Sequence, residues 1–357
     1  MTLVQIQIAA FCLTFAILLA LTGAVYQVIG TYRDGRRYPP PGRLVDLGTH
    51  RLHIVESGGT TGPTVLLEAG LMSTVLSWSE LQQELSRGFR VVSYDRAGLG
   101  WSDPGPMPRT AGRIVEELHL LLSKAAISGP YILVGHSFGG LTMPVFATRF
   151  PGEVAGMVLV DPVGPAEWDP PSERDRKLSS IGAKVCRRAA LLSRIGVIRF
   201  VVFLLSSGLK TPASYLVRLI SRGTPAESGS LSSPWFSALP PKERAMASAF
   251  WVQPKFALTI ASQLENLPVS AASAGRLDAI CDKKVVILTA NSASERRRDG
   301  HARLAKSLSR SEHIFAGESG HWIMHDERDL VIRAIRTIAE EAEPRATPAM
   351  CVTDKAQ

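Results

Sequence analysis

One short run of this sequence, GHSFGG at residues 135–140, has the residue types and spacing that nucleophilic chemistry requires. The apolar run YILV precedes it and an amphipathic pattern follows it at once, so Ser137 is predicted to lie in a tight turn between a buried strand and a helix. Such a turn needs small neighbours and holds a serine hydroxyl clear of the sheet at a helix N-terminus. We predict that Ser137 is a nucleophile. The alternative is a glycine-rich structural turn or nucleotide loop, although no Gly-Lys-Ser/Thr of a P-loop follows.

A serine hydroxyl is a poor nucleophile near neutral pH and requires a general base. Among the eight histidines, His321 is the best candidate because it follows the last predicted strand, within the run ESGH. That position is a loop at the carboxyl edge of the strands, where catalytic groups gather in open α/β sheets. His325 is the competitor, but its position favours packing beside a helix. His136 is expected to point away from the serine turn.

The third member of such a site is a carboxylate that fixes the tautomer of the imidazole and stabilises the imidazolium. Asp161 ends the apolar run GMVLV, at the carboxyl edge of the predicted sheet. Asp299 lies after the later run KVVIL, and Glu295 is a third option. We predict Asp161, because a catalytic carboxylate must be held by a rigid strand end. The alternative for Asp161 is a turn residue that merely ends its strand.

The elements that must position these side chains are short apolar runs alternating with helical patterns. This alternation indicates an α/β fold, with a mostly parallel twisted sheet covered by helices on both faces. The strand pattern stops after residue 162 and resumes near residue 280. The predicted core is therefore residues 44–162 and 280–341, around a helical lid at 163–279 and before a flexible tail at 342–357. Strands are predicted at residues 50–55, 64–68, 90–94, 131–134, 156–160, 284–288 and 311–315, with Asp326 as the N-cap of a closing helix.

The N-terminal segment has the length and composition of a membrane anchor. Residues 2–32 carry no charged side chain, and a helix needs about 20 apolar residues to cross the hydrocarbon core of a bilayer. We predict a single transmembrane helix at 1–32 and a Pro-rich linker at 33–43. A cleaved signal peptide is the alternative, although no Lys or Arg precedes the apolar run. The arginines that follow the span predict a cytoplasmic body: Arg33, Arg36, Arg37 and Arg43.

Composition limits the partners. The 357 residues include 40 Lys and Arg against 32 Asp and Glu, and residues 171–223 hold eleven of these basic side chains against two acidic ones. That segment interleaves its charges with aliphatic stretches and lacks a nucleic-acid-binding module, so we expect no nucleic acid partner. Its stretch 189–205 is either a core helix of the lid or a helix that lies on an anionic membrane through Arg187, Arg188, Arg194 and Arg199. Four dispersed cysteines indicate neither a disulfide framework nor a zinc site, and we expect no metal or cofactor.

From about residue 42 to residue 341 the chain resembles the α/β-hydrolase superfamily. The resemblance is carried by GHSFGG, by SYDRAGLGWS at residues 93–102, and by the terminal SGH. It implies a helical lid inserted after the sixth strand. It also implies that two backbone N–H groups hold the oxyanion, those of Phe138 and of Leu71 after the run EAG, although many members have His-Gly where this chain has Ala-Gly.

The resemblance also bears on the acid and on one loop. The usual acid after the seventh strand is not obvious here, and relatives that place it after strand six favour Asp161. We interpret Asp95 and Arg96 as a structural loop that supports the Ser137 turn.

These observations predict a membrane-anchored serine hydrolase that cleaves a carboxylic ester or thioester, with a lipophilic acyl group, through an acyl-enzyme. Ser137 attacks, His321 is base and then acid, and Asp161 orients His321. The resemblance leaves open amidases, proline-releasing aminopeptidases and carbon–carbon hydrolases with the same three residues. A ligand-binding protein of low turnover on the same fold is the alternative from another class. The expected partners are a small-molecule acyl substrate and the membrane.

Overall fold

The computed structural model describes residues 2–59, 62–209, 211–212, 214–215, 217, 236, 239–275 and 282–342. Its strands are β1 (Arg43–Asp46), β2 (Arg51–Ser57), β3 (Thr64–Glu68), β4 (Arg90–Tyr94), β5 (Tyr131–His136), β6 (Val154–Val160), β7 (Lys284–Ala290) and β8 (Ser311–Ala316). They form one sheet in the order β1-β2-β4-β3-β5-β6-β7-β8. The β1–β2 and β2–β4 pairs are antiparallel and all the others are parallel, which confirms the predicted fold class.

Helices surround this sheet and precede it. Those with described bounds are α1 (Leu3–Arg37), α2 (Ser79–Leu85), α3 (Ala111–Lys124), α4 (Gly139–Arg149), α5 (Pro165–Trp168), α6 (Glu173–Arg194), α7 (Val197–Ser206), α8 (Pro241–Trp251), α9 (Pro254–Glu265), α10 (Leu267–Ala274), α11 (Glu295–Ser307), α12 (Ile323–Asp326) and α13 (Arg328–Ala342).

The alternation of side chains along each strand produces two hydrophobic layers. In β5, Leu133 faces a cluster that includes Leu118 of α3 and Phe146 of α4. Its neighbour Val134 faces the opposite cluster, which includes Ile335 of α13. Because both faces of the central strands are covered, these strands are apolar throughout, and this is why short apolar runs predicted them so well.

Several predicted boundaries differ from the structure. The N-terminal helix continues to Arg37 and β1 begins at Arg43, so the linker is shorter than the predicted 33–43. The strand β1 was not predicted, because only one of its four residues is buried and its pattern is weak. Asp326 is not an N-cap, since it ends the separate short helix α12 and accepts a hydrogen bond from the N–H of Gly320 at 2.9 Å.

Six described helices, α5 to α10, lie between β6 and β7, where the sequence predicted a lid at 163–279. We call this group the insert. Residues 210, 213, 216, 218–235, 237–238 and 276–279 of that range lie outside the described residues, as does nearly all of the predicted tail at 342–357. Helices α6 and α7 meet at an angle of 91°.

Helix α1 has the properties of a membrane-spanning helix. It is 35 residues long, and its most apolar window of 18 residues has a mean hydropathy of 2.4 with none of that window buried. A signal sequence shares these properties. Within the described residues it is the single continuous helix that is long and apolar enough to cross a membrane; the bent pair α6–α7 would be a second candidate if counted as one span.

Candidate active site

Ser137 occupies the tight turn between β5 and α4. Its φ of 52° lies in the left-handed region, which residues other than glycine rarely adopt. The turn is held from both sides, because the Ser137 N–H donates to the Val160 carbonyl at 3.1 Å, and the Ser137 carbonyl accepts from the N–H groups of Gly140 at 2.9 Å and Val163 at 2.8 Å. These bonds tie the turn to the end of β6 and hold the side chain at the carboxyl edge of the sheet.

The small residues of GHSFGG permit this turn by close approach. A Cβ at Gly135 would lie 2.5 Å from the Gly139 carbonyl oxygen, and a Cβ at Gly140 would lie 2.3 Å from the Pro162 Cβ. Only glycine therefore lets α4 begin directly over β5 and against the chain that leaves β6.

Asp161 and His321 are directly bonded. The Nδ1–H of His321 donates to Asp161 Oδ2 at 2.5 Å, and the tautomer follows from the carboxylate being the acceptor. The other carboxylate oxygen accepts from the N–H of Ala290 at 3.2 Å, and Asp161 itself has a φ of 39° directly after β6. With Nδ1 protonated, the Nε2 of His321 is the nitrogen that carries a lone pair for use as a base.

The neighbours of Asp161 stabilise its ionised form, although burial of the carboxyl disfavours that form. Burial raises the pKa of this carboxyl, but the hydrogen bond and charge of His321, the Arg297 guanidinium and the Ala290 N–H together hold the pKa below its usual value. Arg297 lies 3.6 Å from Asp161 Oδ2 and also pairs with Glu167 at 3.3 Å. Asp161 is therefore ionised at neutral pH, as an orienting carboxylate must be.

The competing carboxylates lie elsewhere. Asp299 and Glu295 are both exposed on α11, and Glu295 lies in the first turn of that helix. Of the three carboxylates considered, Asp161 is the one bonded to His321.

His136 packs against His321 rather than pointing out of the site. Its ring is fully buried, its centroid is 4.7 Å from that of His321, and its Nε2–H donates to the His321 carbonyl at 2.9 Å. Burial, together with the charge of a protonated His321, lowers the pKa of His136 well below its usual value, so this ring is neutral. The sequence did not predict this contact, which forms because the last residue of β5 meets the loop that follows β8.

Arg96 organises the loop that carries Leu71. Its guanidinium donates to the Glu68 carboxylate at 2.5 Å and to the carbonyls of residues 69, 70 and 71 at 2.7, 2.5 and 3.2 Å. It also lies 5.1 Å from the centre of the Phe138 ring. One buried side chain therefore contacts both residues whose N–H groups are predicted to hold the oxyanion. The structure thus places Leu71 and Phe138 beside the Ser137 turn, while their role stays a prediction.

Replacing Arg96 by alanine is expected to lower the free energy of unfolding by about 3–5 kcal/mol, because Glu68 would remain as a buried charge without its partner. Urea unfolding followed by tryptophan fluorescence measures this. The control is Arg51→Ala, which breaks an ion pair with Asp103 that is exposed to solvent and should cost at most about 1 kcal/mol. If the two variants lower the free energy of unfolding equally, Arg96 does not stabilise the buried charge of Glu68 as proposed.

Replacing Arg297 by glutamine should shift the acid limb of activity to higher pH. Without the guanidinium the pKa of Asp161 rises, so the carboxylate that orients His321 is lost at a higher pH as the solution is acidified. The pH profile of kcat/KM measures the shift. The matched control is the next residue, Arg298→Gln, because the Arg298 guanidinium binds the Asn291 carbonyl instead. An unchanged acid limb in the Arg297 variant would exclude this electrostatic role.

An apolar cluster of the insert reaches the site. Phe250, Trp251 and Ile260 of α8 and α9 form it with partly buried neighbours that include Leu71 and Trp322, the residue after His321. A separate pocket of about 480 Å³ lies between α5 and α11, and the residues that line it include none of the predicted catalytic ones. Among the described residues no group of three His, Cys, Asp or Glu side chains is arranged to hold a metal ion.

Comparisons with known proteins agree with this architecture. A family model for the alpha/beta hydrolase fold matches residues 63–188. The protein YqjL of Bacillus subtilis is 36% identical over 110 residues, which are 31% of this chain and 44% of that protein. An uncharacterised vacuolar membrane protein of Saccharomyces cerevisiae is 35% identical over 103 residues, which are 28% of this chain and 16% of that protein. The chain therefore spans less than half of the length of either relative.

Similarity to a solved structure extends over most of the body. A thermophilic esterase from Thermogutta terrifontis superposes with a TM-score of 0.57 and 18% identity, covering 85% of this chain and 99% of the esterase. At this identity the likeness shows the shared fold, and the sheet order, the helical layers and the family match point to the same assignment. The chain has the α/β-hydrolase fold, and its residues 63–188 match the family model for that fold.

Proposed function

We propose that this protein is a membrane-anchored serine hydrolase that cleaves a carboxylic ester or thioester of a lipophilic acyl group. The observation that carries the proposal is the 2.5 Å bond between His321 and Asp161, at the sheet edge where Ser137 lies in a strained turn. Nucleophile, base and orienting acid are the three parts that acyl transfer through serine requires.

In the proposed reaction the Nε2 of His321 removes the proton of Ser137 as the Oγ attacks the acyl carbon. The tetrahedral oxyanion is stabilised by the N–H groups of Leu71 and Phe138, an effect typically worth about 3–4 kcal/mol for each donor. His321 then protonates the departing alcohol or thiol, leaving an acyl-serine. A water molecule, activated by the same imidazole, releases the acid and restores Ser137.

Two features support the choice of substrate and location. The apolar cluster around Phe250 and Trp251 extends to Leu71, so an acyl chain attached to Ser137 would have apolar neighbours. Helix α1 supplies the proposed anchor, and the membrane protein among the relatives is consistent with it. The arginines after the apolar run favour a cytoplasmic body by the positive-inside rule.

The test is labelling of the purified full-length chain with a fluorophosphonate probe, followed by mass spectrometry of the labelled peptide. Stoichiometric labelling at Ser137 is expected, and hydrolysis should then be compared for esters of increasing acyl length. A folded protein that resists the probe would refute the proposal and favour a ligand-binding role. A preference for short acyl groups would contradict only the proposed lipophilic substrate and would leave the proposed ester hydrolysis intact.

A further inference from the structure

Within the part of the chain that the structure describes, helix α1 contacts the body along its second half. Every residue from 2 to 19 is exposed, whereas the partly or fully buried residues recur every three or four positions: Ala20, Gly23, Ala24, Gln27, Gly30, Thr31 and Asp34. At 1.5 Å per residue the exposed section is about 27 Å long, close to the hydrocarbon thickness of about 30 Å in a bilayer. The body therefore begins to touch α1 where the membrane-spanning length ends.

The corner between α6 and α7 makes the first of these contacts. A Cβ at Gly23 would lie 2.1 Å from the Ile195 carbonyl oxygen, and a Cβ at Gly196 would lie 2.5 Å from the Gly23 carbonyl oxygen. Gly196 also has a φ of 72°, so the sharp bend and the backbone contact both require glycine. The corner is thus held against α1 one turn beyond the exposed section.

Arg199 of α7 fixes this arrangement. Its guanidinium donates to Asp34 at 2.6 Å, to Gln27 at 3.0 Å and to Thr31 at 3.2 Å, all on α1. The amide of Gln27, which is only 4% exposed, donates in turn to the Val252 carbonyl at the end of α8. These bonds join α1 to two helices of the insert. Arg199 therefore binds α1 and does not reach toward lipid headgroups, as one of the two alternatives from the sequence would have required.

The outer surface of the same corner is apolar and rimmed by positive charge. Phe200 is 46% exposed, Phe203 is 54% exposed and Leu191 is 61% exposed. Lys184 and Arg194 are also exposed, whereas Arg187 is paired with Glu265. Aromatic and aliphatic side chains beside basic ones are the composition of surfaces that lie in the headgroup region of an anionic bilayer.

We propose that the α6–α7 corner is a membrane-contact surface, held against α1 by Arg199 on the side of the body that faces the bilayer, with Phe200 and Phe203 inserted at the boundary between headgroups and acyl chains. The occupant of this surface is the same bilayer that α1 spans, because exposed apolar surface continues from residues 2–19 of α1 to the corner that contacts Gly23. The inference rests on the anchoring part of the proposed function and adds a second contact with the membrane, made by the insert.

The experiment measures the depth of a nitroxide spin label in the full-length chain, reconstituted in vesicles of phosphatidylcholine and phosphatidylglycerol. The label is placed at Phe203→Cys, with the native cysteines replaced by serine. The matched control is Leu120→Cys, because Leu120 is a similarly exposed apolar residue on α3, remote from α1 in the fold. We expect the label at 203 to collide with oxygen several-fold more than with a water-soluble nickel chelate, and the label at 120 to show the reverse.

A water-exposed label at 203 would overturn the proposal. A label shielded from both oxygen and nickel would also overturn it, since that pattern indicates contact with protein, such as a second copy of the chain. Fluorophosphonate labelling of Ser137 in the same samples separates this result from the proposed catalysis. A labelled Ser137 with a water-exposed residue 203 leaves the hydrolase intact and removes only the contact surface.

A second pair of variants tests the role of Arg199. Arg199→Gln, carrying the spin label at 203, should lose the depth signature, because the corner is no longer held against α1. Arg310→Gln, which neutralises a solvent-exposed arginine paired with Glu341 outside the proposed surface, should keep the signature in the same vesicles. If the label at 203 keeps its full depth in the Arg199 variant, the bonds from Arg199 to α1 do not position the corner.

Discussion

Replacement of Ser137 by alanine should reduce kcat/KM for an activated ester by about 10³-fold or more and abolish fluorophosphonate labelling. The change removes the attacking oxygen, while the oxyanion donors and the binding surface remain and account for residual catalysis. Because the two N–H groups that bind the Ser137 carbonyl and the N–H of residue 137 itself belong to the backbone, the turn should persist in the variant.

The control for this prediction is Ser86→Ala, which removes a partly exposed hydroxyl that donates to the Gln83 carbonyl at the end of α2. It should hydrolyse the ester at the wild-type rate. Circular dichroism and thermal unfolding should match among the three proteins. Full activity in a folded Ser137 variant would remove this residue from the mechanism, and with it the proposed acyl-enzyme.

Asp161→Asn is expected to lower kcat by about 10⁴-fold, the effect seen when the orienting carboxylate of a comparable site is amidated. An amide at this position can donate toward Nδ1 and so favours the tautomer that leaves Nε2 protonated and unable to act as base. The fold should be affected less, since the bond from the Ala290 N–H can still be accepted by an amide oxygen.

Asp299→Asn is the matched comparison, because Asp299 was the rival candidate and lies exposed on α11. Its kcat should stay near the wild-type value in the same assay. If the Asp299 variant loses activity while the Asp161 variant retains it, the assignment of the acid is wrong. Losses of similar size in both would indicate that neither carboxylate acts alone.

The sequence could predict the strands and the serine turn because their signals are local. Runs such as TVLLE and RVVSY are buried on both faces, and β3 and β4 have the bounds that these runs indicated. Asp161 and Asp299 could not be separated by pattern alone, because both follow an apolar run. The sheet order separates them spatially: β6 lies beside β5, so the end of β6 adjoins Ser137, whereas Asp299 is on the outer side of a helix.

Residues that act through distant partners could not be predicted. Arg297 lies in a run of three arginines, and nothing local marks it as the one whose guanidinium approaches Asp161, 136 positions earlier in the chain. Arg96 was expected to support the Ser137 turn, but its contacts with three successive carbonyls depend on how β3 and β4 end side by side. The packing of His136 on His321 likewise requires the loop after β8 to be in place.

The docking of α1 on the insert has a practical consequence for producing this protein. A shortened chain that starts at Arg43, the natural choice for a soluble enzyme, would lack Gln27, Thr31 and Asp34 and would uncover the surfaces of α7 and α8 that they bind. Truncation would remove the exposed apolar section of α1, but it would leave Phe200 and Phe203 exposed beside the uncovered Arg199. Such a chain should self-associate, and purification of the full-length protein in detergent or nanodiscs is the better route to an active sample.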